Sequence, residues 1–413
     1  MNTTNNISLY DKILLFFIYL NSATILVPDK FKAWPIATLA LIVIIRYFKQ
    51  KTKPTLEIKK FLISTGFFLM LILSTAYSSD ISYAFKKLGT GSSLVVFPLL
   101  FYIIGGDRNI FSENTIRTLK LTFIISLVFF LISTFTYFYF TEPFFNFRNT
   151  LEHYTNLVDI RISKYRIHPT YLSIYIGIAI IFLWSLFNEN KPKTKYFIFF
   201  AFLLLIAFTA ILNKKGPIIS LAVIGFFFLI KNKFNFKKIV YLTSLSILLL
   251  GLIVFVPRYK NENKFEELLE IGNNKNSSSG LRLQIYGCAL QKIVKSPIFG
   301  YGWGDVKTAL SNCYAGKNSE ELLKNNYNSH NQYLSILLSI GVLGFLAFVY
   351  YLFYIFKISN QRNSQALFFL ILYFCLNMLT ENILEREDGV IVVAFFLNLF
   401  LFRINKKNET IKQ

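Results

Sequence analysis

The stretch "NNYNSHNQYLSILLSIGVLGFLAFVYYLF", residues 325–353, joins a polar entrance to a long apolar run. A transmembrane helix needs about 20 consecutive apolar residues, and the run after His330 and Asn331 reaches that length. The chain contains only three histidines, so a histidine at a helix entrance stands out. What it does depends on which side of the membrane the entrance faces, and on which other side chains lie there.

The same apolar pattern recurs along the rest of the chain. Hydrophobic residues make up 54% of it, aromatic residues 18% and charged residues only 16%, and its mean hydropathy is +0.48. Lipid offers the backbone no hydrogen-bond partners, so only helices or closed barrels cross a bilayer. The runs are continuous rather than alternating in polarity, which favours helices. The composition therefore predicts an all-α polytopic membrane protein.

Twelve apolar runs are candidate membrane spans. We predict them at 13–28, 33–48, 61–77, 91–105, 119–140, 169–187, 196–212, 217–230, 239–257, 332–356, 365–380 and 389–402. The first run lacks the basic region and small-residue cleavage site of a signal peptide, and we interpret it as a span. These runs predict a single integral membrane domain over 1–413, with a large loop at 258–331 between the ninth and tenth spans.

The distribution of basic residues predicts the orientation of the spans. Lysine and arginine concentrate in four segments that this arrangement puts on one side: "RYFKQKTKPTLEIKK" (46–60), "NENKPKTK" (188–195), "KNKFNFKK" (231–238) and the tail "RINKKNETIKQ" (403–413). Cytoplasmic loops are enriched in these residues, so we expect both termini in the cytoplasm. His153, His168, His330 and the loop 258–331 then lie outside. The net charge of +22 is thus mainly a topology signal, and we expect no nucleic-acid partner.

The outer loop contains a predicted helix that carries an arginine near its start. In "SSSGLRLQIYGCALQKIVKSP" (277–297), serines that can cap a helix precede Arg282, and Pro297 can end the helix. The positive end of a helix with an added arginine suits a phosphate group. Contact with lipid headgroups is the alternative. Apolar side chains recur at helical spacing and predict an amphipathic helix on the membrane surface: Leu283, Tyr286, Leu290 and Val294.

Three further segments of the outer face carry basic or aromatic residues. "NKKGP" (213–217) places Lys214 and Lys215 in a short outer turn, where basic residues oppose the usual charge bias. "RISKYRIHPT" (161–170) brings Arg166 and His168 to the start of a span. "IFGYGWGDV" (298–306) surrounds Trp303 with glycines, typical of a tight loop with aromatic faces that can stack on sugars. Contact with lipid headgroups is the alternative for the two basic segments, and an aromatic belt at the membrane interface is the alternative for the third.

His330 is the candidate general base. Asn328 or Ser329 is predicted to cap the following helix, which places His330 in its first turn. The positive helix end disfavours the imidazolium, and a neutral imidazole can accept a proton from a hydroxyl group. A polar residue that bonds to Asn331 or to lipid is the alternative.

The cysteines leave one question open. Cys288 and Cys313 both lie on the predicted outer side, where a disulfide is chemically permitted, and two thiols fit equally well. Cys375 lies within a span and is interpreted as a packing residue.

Several motifs of the late outer segment occur together in one known pattern. Arg282 is followed four residues later by an aromatic residue, Tyr286, and His330 and Asn331 enter a helix as a pair. A proline and five glycines accompany these motifs: Pro297, Gly300, Gly302, Gly304, Gly341 and Gly344. The pattern, over roughly 280–345, resembles the O-antigen ligase and polymerase superfamily of bacterial inner-membrane glycosyltransferases, in which Trp usually holds the place of Tyr286.

The resemblance implies a GT-C-like helical fold and an expected activity. Members transfer a glycan from undecaprenyl diphosphate to an acceptor hydroxyl, such as one on the lipid A core, at the periplasmic face, and neither a metal nor another cofactor is expected. The resemblance implies that the family histidine, His330 here, activates the acceptor, and we expect attack from the face opposite the diphosphate to invert the anomeric centre. Family arginines hold the diphosphate, a role expected here for Arg282, Lys215, Lys214 and Arg166. Further candidates for the lining of the substrate and acceptor site are His168, Asn331, Tyr286, Trp303 and Glu381.

This chain departs from the family pattern in one place. It has Lys214, Lys215 and Gly216 where the family often has Ser-Arg-Gly, and lysine lacks the bidentate fork of arginine. Glu381 is compatible with two roles, orienting a sugar hydroxyl or pairing with a basic residue.

Two alternatives to a ligase remain at the level of the sequence. A polymerase of the same superfamily would use a second lipid-linked glycan as its acceptor. A flippase or transporter would use the outer basic clusters to receive an anionic lipid. The spans carry almost no acidic residues of the kind that ion-coupled transporters place near the membrane midplane, which disfavours the transporter.

Overall fold

The computed structural model describes residues 8–27, 29–50, 56–105, 110–141, 146–159, 167–187, 192–231, 278–317 and 320–403. Within these ranges the regular structure is helical, and no strand is found there. The predicted all-α polytopic membrane fold is confirmed. The predicted ninth span, 239–257, and Arg166 lie outside the described residues.

The α-helices of the described ranges are 6 to 30 residues long. In chain order they are α1 (Leu9–Ala23), α2 (Asp29–Lys49), α3 (Ile58–Ser74), α4 (Ile81–Gly91), α5 (Ser93–Ile104), α6 (Glu113–Thr141), α7 (Phe147–Leu157), α8 (Pro169–Phe187), α9 (Pro192–Leu212), α10 (Lys215–Lys231), α11 (Ser278–Lys295), α12 (Val306–Tyr314), α13 (Glu320–Asn325), α14 (Gln332–Gln361), α15 (Gln365–Asn377) and α16 (Glu387–Phe402). Short 3₁₀ turns lie at Thr24–Leu26, Thr75–Tyr77, Ala315–Lys317 and Ile383–Glu385.

Most of the predicted spans coincide with helices of sufficient length and apolarity. Eight stretches within the described residues can cross a membrane by these criteria: Leu9–Leu26, Phe31–Lys49, Ile58–Tyr77, Ile81–Ile104, Glu113–Thr141, Pro169–Phe187, Lys195–Leu212 and Gln332–Gln361. The shorter helices α10 and α15 match the predicted eighth and eleventh spans, and α16 matches the twelfth. The predicted span 91–105 begins too late, because α4 precedes α5 with only Ser92 between them.

Helices α8 and α16 form the centre of the bundle. In α8, 83% of the residues are buried inside the protein, and every residue of α16 from Asp388 to Phe402 is buried. A helix that is apolar all round is typical of such a buried position. Lys32 of α2 forms a buried ion pair with Asp388 in the first turn of α16. The connection between α15 and α16, residues 378–386, is therefore anchored to the centre of the bundle.

Helix α14 is broken at Gly341, where a loop from the preceding segment pairs with its backbone. Gly341 has φ 62° and ψ −163°, a conformation open essentially to glycine alone. The Tyr301 N–H donates to the Leu338 carbonyl at 2.7 Å, and the Val342 N–H donates to the Pro297 carbonyl at 2.8 Å. Residues 297–305, which we call the glycine loop, thus satisfy backbone groups that the break in the helix leaves open.

Helices α11 and α12 form a disulfide-linked pair beside the first turns of α14. Cys288 and Cys313 are joined by a disulfide bond, which answers the question that the sequence left open. Helix α11 ends before Pro297, as predicted, and Arg282 is its fifth residue. One of its faces packs against α12 and α14, whereas Leu283, Leu290 and Val294 are 51%, 54% and 78% exposed. That this exposed face lies against the membrane surface stays a prediction.

Candidate active site

Four segments meet at one end of the bundle, which we call the site end. They are the start of α8, the turn between α9 and α10, the segment before α14, and the connection between α15 and α16. The second and fourth segments are in contact, because a Cβ added at Gly216 would lie 2.5 Å from Thr380 Oγ1. Helix α11 joins the group through the Tyr286 hydroxyl, which donates to the Leu379 carbonyl at 3.1 Å and to the His330 carbonyl at 3.3 Å.

His330 lies just outside helix α14. The helix begins at Gln332, and its cap is Asn331, whose Oδ1 accepts from the Tyr333 and Leu334 N–H groups at 3.0 and 3.1 Å. His330 has a left-handed backbone conformation with φ 45°. The prediction that Asn328 or Ser329 caps the helix, with His330 in its first turn, was wrong.

Two local hydrogen bonds and one to a distant residue explain why the earlier residues do not cap α14. Asn328 Oδ1 accepts from the His330 N–H at 3.1 Å. The Ser329 hydroxyl donates to the Asn331 carbonyl at 2.8 Å and to Asn382 Oδ1 at 3.2 Å. Both side chains therefore stabilise the turn at His330 and are not available to cap α14.

The imidazole of His330 lies in an environment that disfavours its charged form. Burial lowers its pKa to about 4, Arg282 and Arg386 add to the shift, and Glu385 acts against it. The neutral ring predicted from the sequence agrees with this environment. Its main cause is burial, reinforced by two arginines, rather than the positive end of the helix.

The two ring nitrogens of His330 have different surroundings. Nδ1 is buried and has no hydrogen-bond partner among the described residues, and Glu381 Oε2 lies 3.9 Å from it. Burial raises the pKa of Glu381, while Arg282 and Arg386 act in the opposite direction. A proton on Nδ1 would face the Glu381 carboxyl, and Nε2 would then be the atom able to accept a proton.

His168 is the cap of α8. Its Nδ1 accepts from the Thr170 N–H at 3.3 Å, so in the neutral ring the proton resides on Nε2. Burial lowers the pKa of His168 to about 4, and Arg386 and Lys214 reinforce the shift. His168 can therefore offer a hydrogen-bond donor at the site end.

The cations of the site end include one that the sequence analysis missed. Arg386 lies with its guanidinium carbon 6.0 Å from the centre of the Tyr171 ring, and its charge acts on both histidines. Arg282 and Lys214 act on Glu381 from α11 and from the turn before α10. Arg386 lies in the short connection "TENILERED" (380–388). A basic residue in a short outer connection is the signal that identified the Lys214–Lys215 turn, and the same signal could have identified Arg386 from the sequence.

A cavity of about 510 Å³ opens beside these groups, within the size range of ligand pockets. Its lining combines charged or titratable side chains with amides and tyrosines: Lys87, His168, Lys307, His330, Glu385 and Arg386 in the first group, and Tyr83, Asn325, Asn326, Tyr327 and Asn328 in the second. The cations suit an anionic group, and the amides and tyrosines suit hydroxyl groups.

The remaining predicted residues occupy distinct places around this cavity. Trp303 lines it, but the side chain is only 4% exposed and lies edge-on to Phe68. The Asn331 amide donates to the Leu379 carbonyl, and the Tyr286 hydroxyl donates to the His330 carbonyl. Both side chains therefore hold the backbone of the His330 segment in place. Lys215 is the first residue of α10.

The fold and the site together define a multi-pass α-helical membrane protein with a cationic pocket and a neutral histidine at one end of its bundle. Residues 200–349 match the O-antigen ligase family. The matched segment contains Lys214, Arg282, the glycine loop and His330, and the match confirms the predicted resemblance of this segment to the O-antigen ligase and polymerase superfamily.

One curated relative is an uncharacterized protein of Haemophilus influenzae. It is 28% identical to this chain over 166 residues. The alignment covers 38% of this chain and 41% of the relative. The chain thus spans about two fifths of the length of the curated relative that it matches.

Proposed function

We propose that the protein is an O-antigen ligase-like glycosyltransferase. It moves a glycan from undecaprenyl diphosphate to a hydroxyl group of the lipid A core at the periplasmic face of the bacterial inner membrane. The observation that carries the proposal is a neutral His330 that lines a cavity together with Arg386 and feels the charges of both Arg282 and Arg386. The match to the O-antigen ligase family supports it.

The cations act on the leaving group in this proposal. The bond from the anomeric carbon to the diphosphate oxygen breaks, and the electron pair leaves with the diphosphate. Preorganised positive charges stabilise that developing charge far better in a partly dry site than in water. Arg282 is the residue most suited to this contact, since a guanidinium can hold a phosphate with two parallel hydrogen bonds. Lys214, Lys215 and Arg166 complete the proposed set.

His330 acts on the acceptor. Nε2 takes the proton of the acceptor hydroxyl while its oxygen attacks the anomeric carbon from the face opposite the diphosphate, which inverts the centre. The imidazolium that forms carries its second proton on Nδ1, 3.9 Å from Glu381 Oε2. A small approach of these two groups gives a charge-assisted hydrogen bond that stabilises the imidazolium.

A reconstituted transfer assay tests the proposal and separates it from the alternatives. Full-length protein in liposomes receives lipid-linked glycan extracted from the organism's own membranes, with either core lipopolysaccharide or a second lipid-linked glycan as acceptor. A ligase gives a product in which the core carries the glycan, whereas a polymerase extends the second lipid-linked glycan. Movement of intact donor across the bilayer without a new glycosidic bond would contradict the proposal.

Glu381 provides a more specific test of the base. Glu381→Gln keeps the size of the side chain and a carbonyl acceptor but loses the negative charge that would stabilise the imidazolium. We expect kcat to fall roughly 10–100-fold, a loss at the lower end of what a positioned base contributes. The Michaelis constant for the donor should change little. Glu152→Gln, on helix α7, is the matched control. An unchanged kcat in Glu381→Gln would remove Glu381 from the mechanism.

A further inference from the structure

Glu385 occupies the meeting point of three elements, although neither the sequence analysis nor the proposed chemistry uses it. Its side chain is only 8% exposed. One carboxylate oxygen, Oε2, accepts from Lys87 Nζ of α4 at 2.7 Å. The other, Oε1, accepts from the Asn382 amide at 2.8 Å and from the hydroxyl of Ser335 in α14.

A continuous chain of hydrogen bonds leads from this carboxylate to His330. Asn382 donates its amide to Glu385, and its own Oδ1 accepts from the Ser329 hydroxyl at 3.2 Å. Ser329 directly precedes His330 and is fully buried. A non-glycine residue in the left-handed region, as His330 is, persists only where its surroundings hold it there.

We propose that Glu385 is a positioning residue that sets the place of the His330 imidazole through Asn382 and Ser329. The inference rests on the proposed function of the site, and it assigns a role to a carboxylate that contacts neither donor nor acceptor in that mechanism. The two carboxylate oxygens of Glu385 have different roles. Oε2 compensates the charge of Lys87, and Oε1 holds the segment that carries the base.

Two double variants separate these two tasks. Lys87→Met with Glu385→Gln removes both charges but keeps an oxygen at the Oε1 position for Asn382 and Ser335. Lys87→Met with Glu385→Leu removes the charges and that oxygen as well. Neither double variant buries an uncompensated charge, so any difference between them reports the Oε1 arm.

The reconstituted transfer assay should show a lower kcat in the leucine double variant than in the glutamine one. We expect a ratio of at least about tenfold, because displacement of a reacting group by about 1 Å can cost 10²-fold. The Michaelis constant for the donor should agree within about twofold between the two double variants, since both carry the same Lys87→Met change and both keep Arg282 and the Lys214–Lys215 turn. Equal kcat values in the two double variants would overturn the proposal.

A second pair of variants decides the question if the leucine double variant does not fold. Ser329→Ala removes the last hydroxyl of the chain to His330, and kcat should fall about tenfold for the same geometric reason. Ser339→Ala is the matched control. Its hydroxyl is equally buried but donates to carbonyls of its own helix, so we expect no change. Wild-type kcat in Ser329→Ala would contradict the proposal.

A readout without substrate distinguishes failure of this inference from failure of the proposed function. Diethyl pyrocarbonate modifies neutral imidazoles, and mass spectrometry gives its rate at His330. This rate should rise several-fold in the leucine double variant relative to the glutamine one. Both rates are measured at the same pH, because titratable and charged groups surround the ring and influence its protonation. These groups are Arg282 from α11, Glu381, Glu385 and Arg386 from the 378–386 connection, and His168 from α8. Unequal rates in a protein that transfers no glycan would refute only the proposed function. Equal rates would refute the positioning role.

Discussion

The pH dependence of transfer reports the pKa of the His330 imidazole, which burial, Arg282 and Arg386 lower to about 4. A histidine with an ordinary pKa near 6.5 is only about 3% neutral at pH 5, whereas one with a pKa of about 4 is about 90% neutral. The rate at pH 5 should therefore differ about 30-fold between the two cases. The shift corresponds to about 3 kcal/mol of preference for the neutral ring.

The sign follows from the role of the ring as a base. Only the neutral imidazole accepts a proton, so activity is lost as the pH falls through the pKa of the folded protein. The His330 imidazole by itself gives a kcat/KM that stays flat from pH 8 to about 5 and halves near pH 4, since kcat/KM reports groups of the free enzyme. Protonation of Glu381, whose pKa burial raises, adds to the loss on the acid side. Arg386→Gln removes one of the two arginines that lower this pKa, so the acid limb should move to higher pH.

The assay is the initial rate of glycan transfer in proteoliposomes, measured from pH 4 to pH 8. Samples held at low pH and returned to pH 7 must recover full activity, which excludes loss of protein as the cause. The diphosphate diester of the donor keeps its charge over this range. An acid limb centred near pH 6.5, or one that Arg386→Gln leaves in place, would refute the role assigned to the buried ring.

Three further predictions concern the phosphate contact, the disulfide and the break in α14. Arg282→Ala should lower kcat/KM roughly 10²–10³-fold in the transfer assay, as loss of a group that stabilises developing charge does, and Arg282→Lys should recover only part of it. Reduction of the Cys288–Cys313 disulfide, whose ends lie 25 residues apart, should remove about 3 kcal/mol of stability and lower the melting temperature, and an unchanged melting temperature would contradict this. Gly341→Ala should destabilise the protein in thermal melts by at least about 1–3 kcal/mol because of its positive φ. Gly287→Ala, a helical position with open space around it, should be neutral or stabilising, and equal effects at the two glycines would be inconsistent with the structure.

The sequence alone predicted the features that depend on local pattern. Continuous apolar runs predicted the helices, and the Pro169 start of α8 and the Pro297 stop after α11 lie where proline chemistry puts them. Such signals require no knowledge of distant contacts. The motif pairs Arg282 with Tyr286 and His330 with Asn331 indicated the family for the same reason.

The features that the sequence left open depend on contacts between distant segments. Three residues before α14 have the chemistry of a cap, and Asn331 is the one used because the side chains of Asn328 and Ser329 have other hydrogen-bond partners, one of them the distant Asn382. The break at Gly341 follows from pairing with the glycine loop, where a Cβ would lie 2.1 Å from the Ile298 carbonyl oxygen. Glu385 gains its importance from Lys87, nearly 300 positions earlier in the chain.

The most direct test of the central claim is a single-turnover measurement of glycan transfer by purified full-length protein in liposomes. Wild-type protein and His330→Ala receive the same lipid-linked glycan and core acceptor, and the new glycosidic bond is followed by mass spectrometry. We predict transfer by the wild type and a loss of at least 10²-fold in His330→Ala, the contribution expected of a positioned general base. Transfer at near wild-type rate by His330→Ala would contradict it.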